Sequence, residues 1–203
     1  EVSSGLIEDW ANFKVISYKP NRGKGFAVKT GMLAAKGEWR LLMDADNSTD
    51  ISEIEKLLNF ANTNDQDTNT KQIANNNFQI IIGSRYLNKD SIKVKQPLMR
   101  RMVSRFGNFL IRILLGIKMV DTQCGFKMFS ASSAEKIFPL QTIDRWGFDM
   151  EILAIAIKKG YKVKEVAVDW YDAEGSQVKK SAALKTLREL LSIKKNLIFG
   201  KYS

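Results

Sequence analysis

The chain has 203 residues and no histidine, which removes Ser-His-Asp and Cys-His catalysis, histidine zinc ligation and a histidine general base in one step. Acid–base work falls to carboxylates, lysine, tyrosine or the lone cysteine. Cys124 has no second cysteine for an internal disulfide, so nothing asks for an oxidising compartment and the expected location is cytoplasmic. Long apolar runs are missing too. The best candidate, Phe109 to Ile117, falls short of the ~18–20 residues that cross a bilayer and carries Arg112. No signal peptide is visible, and the chain opens on Glu1 rather than Met, which reads as a processed or truncated start.

What is present is an ordinary globular balance of 44% hydrophobic and 27% charged residues, long enough for a sizeable core and read as one domain over residues 1–203. A formal net charge of +10 draws the chain toward polyanions: nucleic acid, an acidic membrane surface or phosphorylated substrates. Charge alone does not choose among them.

The stretch from Trp39 to Asp50 organises the rest. An apolar run ends in Asp44-Ala45-Asp46, as a buried strand does when it delivers carboxylates to a sheet edge, where they suit a hard cation. Before it, Phe13 to Tyr18 alternates as a half-buried strand, Pro20 to Gly25 reads as a turn, and Phe26 to Lys36 as a helix stopped by Gly37. The Gly23-Lys24-Gly25 loop lacks a full phosphate-binding pattern, so phosphate cradle and tight turn both stand.

Asp50 is placed to cap a helix over Ile51 to Ala61, with Glu53 at the capping-box position. Asn62 to Asn77 is polar and reads as a surface loop. Gln79 to Gly83 is a buried-type strand that ends in Ser84-Arg85-Tyr86, and alternating strands and helices imply a parallel sheet with ligands at its carboxyl ends. From Leu98 to Ile117, Met102, Phe106, Phe109, Leu110, Ile113 and Ile117 recur at helical spacing beside four arginines. Two readings stand for that helix, core packing or a phosphate or membrane surface. Asp121 to Lys127 is a loop before a short strand at Met128-Phe129. A helix near Ser132 to Phe138, a helix opened by the acids of Asp149 and Glu151 and running to Lys159, a strand over Lys162 to Trp170, and a basic amphipathic helix at about 182–199 complete the order.

Six motifs taken together resemble the GT-A glycosyltransferases of family 2, in the branch that acts on dolichyl or other polyprenyl phosphates. They are Asn21-Arg22-Gly23-Lys24-Gly25, Asp44-Ala45-Asp46, Gly83-Ser84-Arg85-Tyr86, Asp121 to Lys127, Arg145-Trp146-Gly147-Phe148-Asp149 and Glu174-Gly175-Ser176, in order over nearly the whole chain. Asp121-Thr122-Gln123-Cys124-Gly125-Phe126-Lys127 looks more like the glucosyl than the mannosyl version. The resemblance implies an α/β, Rossmann-like, mostly parallel sheet with helices on both faces. Family members begin with two nucleotide-holding strands that are not recognisable here, so the chain resembles a member without them.

The implied reaction is inverting transfer of a sugar, glucose favoured, from a nucleotide diphosphate sugar such as UDP-glucose to dolichyl or polyprenyl phosphate at the cytoplasmic face of an anionic membrane. Mg²⁺ or Mn²⁺ would neutralise the diphosphate, with Asp46 as direct ligand and Asp44 beside it on a metal water or the ribose. Asp149 matches the acidic position near the acceptor, as base or orienting group. Arg85 and Arg100 are candidates for gripping the lipid phosphate, because a guanidinium fork suits phosphate oxygens. Gly23, Lys24, Gly25, Gln123, Gly125 and Lys179 complete the substrate-binding set. A phosphate acceptor is already ionised, so the missing histidine costs nothing.

Competing readings are weaker. A haloacid-dehalogenase-type phosphatase would use Asp44 as nucleophile but needs a later acid pair that is not evident. A nucleic-acid-binding module rests on charge alone, without basic and aromatic residues interleaved on one face. An inactive fragment of the transferase is the third.

Overall fold

The computed structural model of the chain describes residues 14–61, 78–88, 90–93, 98–171 and 180–202. In order these form α1 (Lys24–Ala34), β1 (Trp39–Met43), a 3-10 turn (Ile51–Glu53) leading into α2 (Ile54–Ala61), β2 (Ile80–Ser84) and α3 (Leu98–Leu115). Then follow β3 (Phe126–Ser130), α4 (Ala131–Ile137), α5 (Phe148–Lys158), β4 (Val163–Ala167) and α6 (Lys180–Ile198). The expected α/β alternation is realised.

The strands make one sheet in the order β1-β3-β2-β4. β2 and β4 are parallel, and β3 runs against both β1 and β2, so β1, β2 and β4 share one direction. The chain leaving α3 arrives at the carboxyl ends of β1 and β2. β3 must therefore start there and run back, with Met43 opposite Phe126.

Strand alternation sends side chains to two cores. Leu42, Ile80, Ile82 and Phe129 meet α1, α4, α5 and α6 on one face, while Ile81, Phe126 and Met128 meet Leu57 of α2 on the other. Helices therefore cover both faces. α5 is buried from Phe148 to Ala156, and an apolar residue so enclosed contributes roughly 1.5–3 kcal/mol.

Several local expectations are corrected. Residues 14–18 pair with no strand among the described residues, and Val15 and Ile16 are exposed; Phe13 lies outside the described set. α1 starts at Lys24 rather than Phe26, because Gly23, at φ 110°, turns the chain inward just before it. Asp50 does cap, accepting the Ser52 N–H, but Glu53 closes no capping box. Its carboxylate instead accepts the Asp169 N–H beyond β4 and pairs with Lys56. Asn62 to Asn77 and Glu174-Gly175-Ser176 lie outside the described residues.

The long basic helix departs most from a core-packing role. Asn108, Ile111 and Leu115 face inward, whereas Met102, Phe106, Phe109 and Ile113 point to solvent.

Candidate functional site

β1 delivers Asp44 at its carboxyl end, and a turn with Asn47 at φ 53° carries the chain away. Asp46 is exposed at that turn and its Oδ1 accepts the Ser48 N–H at 3.0 Å. Asp44 is held from two sides. Its N–H donates to the Gly125 carbonyl at 3.0 Å, and the Gly125 Cα lies against the carboxylate so closely that a Cβ there would overlap it. Glycine is thus a steric necessity at 125. Lys24 Nζ stands 2.7 Å from Asp44 Oδ1, a buried oxygen that has the ion pair but no aligned hydrogen bond.

Gly23 and Gly25 serve packing. A Cβ on either would strike the backbone between Ile143 and Arg145, and the Phe26 N–H donates to the Asp144 carbonyl. The loop therefore offers the Lys24 ammonium to the site, while its glycines seat α1 against the segment before α5. Lys24 Nζ also lies 5.5 Å from the Trp146 ring centroid. An open cleft of about 390 Å³ is lined by Lys24, Leu42, Asp44, Asp46 and Trp146, among others.

Asp149 sits in the first turn of α5, 5% exposed, beneath this cleft. Lys127, pointing to the same sheet face as Leu42 and Ile82, donates to Asp149 Oδ1 at 2.5 Å and to the Cys124 carbonyl. Burial pushes the Asp149 carboxyl above its ordinary range, against the pull of the Lys127 and Lys24 ammoniums. Lys24 thus acts electrostatically on both acids, its own partner Asp44 and the deeper Asp149.

Arg85 closes β2 with a fork: Nε and Nη2 donate to Asp121 Oδ2 and Oδ1 at 2.7 and 2.8 Å, and its backbone N–H adds a third bond. Burial alone would raise the fully enclosed Asp121 carboxyl, but Arg85 more than offsets it and holds it below the ordinary value. The Asp121 and Val120 N–H groups bind the Glu165 carboxylate, Thr122 donates to Asn108 of α3, and the Gln123 N–H returns to Asp121. The loop is fastened at each step. Gln123 itself is half-buried. Arg100 belongs to the first turn of α3, with its side chain outside the described set, and Lys179 lies outside the described residues.

The structure therefore brings Lys24, Asp44, Asp46, Gly125 and Asp149 together, and sets Gln123 on the adjoining loop, with Arg85 at the end of β2 clamped to that loop's Asp121. Among the described residues no cluster of three metal-binding side chains occurs. Two carboxylates at the cleft, Asp44 paired with Lys24 and Asp46 exposed at the turn, supply the oxygen donors that suit Mg²⁺ or Mn²⁺, which commonly complete their shells with substrate phosphate and water.

Sequence reading gave no role at the site to three residues. Trp146 lines the cleft, Trp170 lines a smaller gap with Asp44 and Gly125, and the fully buried Glu151 accepts from Thr142, Ile143 and Tyr202 to fix the loop before α5. Trp146 had a visible signal, a tryptophan among polar residues. Glu151 had none beyond an acid in an otherwise apolar helix.

Residues 2–138 match the model of Glycosyl transferase family 2. Over 187 residues the chain is 36% identical to a dolichyl-phosphate beta-glucosyltransferase of Trichomonas vaginalis, covering 92% of this chain and 54% of that protein. It is 32% identical to the Saccharomyces cerevisiae protein of that description, covering 96% and 58%, and 36% identical to the human one, covering 81% and 49%. The chain thus spans about half the length of these curated relatives. The solved structure of glucosyl-3-phosphoglycerate synthase from Mycobacterium tuberculosis in complex with uridine diphosphate aligns with TM-score 0.56 at 14% identity. That alignment covers 89% of this chain and 57% of the synthase, and it shows a shared GT-A fold.

Proposed function

The chain belongs to glycosyl transferase family 2, and from that premise we propose that it carries the diphosphate and acceptor side of an inverting transfer of glucose from UDP-glucose to dolichyl phosphate. The observation that carries this is the meeting of Lys24, Asp44 and Gly125 above the buried Asp149, at the carboxyl end of β1. The curated relatives named for this reaction, together with the uridine diphosphate bound by the structural neighbour, support the choice of substrates.

Each residue has a task. The Lys24 ammonium, set between two acids, offers positive charge to a diphosphate in the cleft. Gly125 holds the Asp44 carboxylate in place from the opposite side, and Asp46 projects from the turn. Asp44 and Asp46 would hold Mg²⁺ or Mn²⁺, which when bound neutralises the charge that develops on the leaving diphosphate. Asp149, kept near two ammoniums, orients the acceptor or a sugar hydroxyl. The acceptor phosphate is its own nucleophile.

A lipid-tailed acceptor would be met at a membrane surface, and the lone cysteine, with no internal disulfide to form, supports the cytoplasmic face. No helix among the described residues is long and apolar enough to cross one.

The test is transfer from UDP-glucose, GDP-mannose and related donors to one polyprenyl phosphate, with and without Mn²⁺. UDP-glucose should be used first, and Asp46→Ala should reduce the rate by about 10²-fold or more. Because Asp46 is exposed, stability should change by less than about 0.5 kcal/mol. Undiminished transfer by Asp46→Ala would remove its assigned metal role.

A further inference from the structure

Lys24 opens α1, and its ammonium is set down on a single carboxylate oxygen. Nζ stands 2.7 Å from Asp44 Oδ1, and among the described residues Asp44 is the one acid within ion-pair distance of it. The oxygen beneath is sealed from solvent and makes no aligned hydrogen bond. Gly125 closes the carboxylate from another side, its Cα leaving no room for one more carbon. A cation from solution reaches Oδ1 only if the ammonium moves.

That covered oxygen belongs to one of the two acids that suit Mg²⁺ or Mn²⁺. Mg²⁺ approaches a carboxylate oxygen to about 2.0–2.1 Å, so an ammonium still resting on the same oxygen would stand within about 5 Å of the ion. Two positive charges would then share one acceptor, and they oppose each other strongly away from bulk water.

The lysine is able to yield. Its side chain is 28% exposed on a flexible stem. The Trp146 and Phe148 ring centroids lie 5.5 and 5.8 Å from Nζ, and their faces attract a cation as it turns away from the acid. The pair differs in this from Arg85 and Asp121, where three hydrogen bonds hold a guanidinium on a fully buried acid. One pair is a clamp, the other a latch.

We propose that Lys24 is a built-in counter-ion that competes with the divalent cation for Asp44. Asp44 is neutralised by the chain itself, and a metal binds there by displacing the ammonium. The inference rests on the transferase reading of the cleft and deepens it, because in that reading the donor diphosphate is the anion that receives the displaced ammonium. Lys24 thereby lowers affinity for the metal alone while raising it for the anion.

The test is a double-mutant cycle on the 203-residue chain, without donor or acceptor, in which electron paramagnetic resonance of free Mn²⁺ gives the affinity for the ion. Lys24→Met should bind Mn²⁺ about fivefold or more tightly than wild type. In an Asp44→Asn background the same change should bring a gain of about twofold or less, because the disputed oxygen has lost its charge. Equal gains in both backgrounds overturn the proposal, since Lys24 would then act only as a charge at a distance. So does a Lys24→Met chain that binds Mn²⁺ no better than wild type, or one that binds none. Lys36→Met, the same loss of charge at an exposed position beyond α1, should match wild type, and a gain there as large as at Lys24 would assign the effect to net charge and overturn the latch. If Lys24→Met unfolds, Lys24→Gln decides by the same readout. No turnover is measured, so a chain that fails to transfer glucose leaves this competition standing, and a failed cycle leaves Lys24 on the diphosphate.

Discussion

Gly125 and Asp44 are locked together: the N–H of Asp44 donates to the Gly125 carbonyl, and the Gly125 Cα faces the carboxylate with no room for one more carbon. Gly125→Ala must push Asp44 out of line. The overpacking should cost about 1–3 kcal/mol in urea unfolding and reduce glucosyl transfer more than tenfold. A variant with full activity would show that Asp44 need not hold its position.

Lys127→Met leaves a carboxylate buried without its nearest cation, a loss of about 3–5 kcal/mol at neutral pH. Burial raises the Asp149 carboxyl, so the folded chain holds that proton more tightly than the unfolded one. Its stabilising contribution is therefore full below the ordinary carboxylate value and is lost as pH rises through the folded value. Lys127 and Lys24 limit that loss in the wild type, and removing Lys127 should deepen it. Urea unfolding should find the variant far closer to wild type near pH 4 than at neutral pH, and Lys127→Met/Asp149→Leu should regain most of the difference. An equal deficit at both pH values would contradict this.

Arg85 is tied to a fully buried acid, so Arg85→Ala should destabilise by about 3–5 kcal/mol. Arg85→Lys should restore only part, because an ammonium cannot reproduce the two-pronged contact. Asp121 is held below its ordinary value, so its contribution is present at neutral pH and lost as pH falls. Urea unfolding, set beside the acceptor KM, separates this structural duty from a grip on the lipid phosphate: a variant of wild-type stability with a raised KM would assign Arg85 to the acceptor alone.

Cys124 is enclosed, and burial pushes its thiol up to about 12. It should resist alkylation by iodoacetamide at pH 8 until urea unfolds the chain. Rapid labelling of the native chain would mean that the loop from Asp121 to Gly125 opens.

Much of the site was legible because its residues are punctuated by glycine and acid at chain positions where strands end. Asp44 follows an apolar run broken only by Arg40, and the strand is where that run says. What the sequence could not disclose is pairing across distance. The Gly125 contact joins residues eighty-one apart, and nothing local marks Lys127 as the partner of Asp149. The direction of β3 was hidden for a like reason, since a five-residue strand reads the same both ways. For α3 the apolar row left two readings open, and the helix turns Met102, Phe106, Phe109 and Ile113 to solvent while burying another row.

The two attachments of Lys127, to the carbonyl of Cys124 and to Asp149, make a strut inside the molecule. The loop before β3, the strand itself and the start of α5 share that strut, so they form one chassis that resists piecemeal change. The turn bearing Asp46 and the exposed ring of Trp146 stand off it. Substitutions of the Trp146 ring leave the chassis intact, so the rim of the cleft can be recut while the frame beneath it stays as it is.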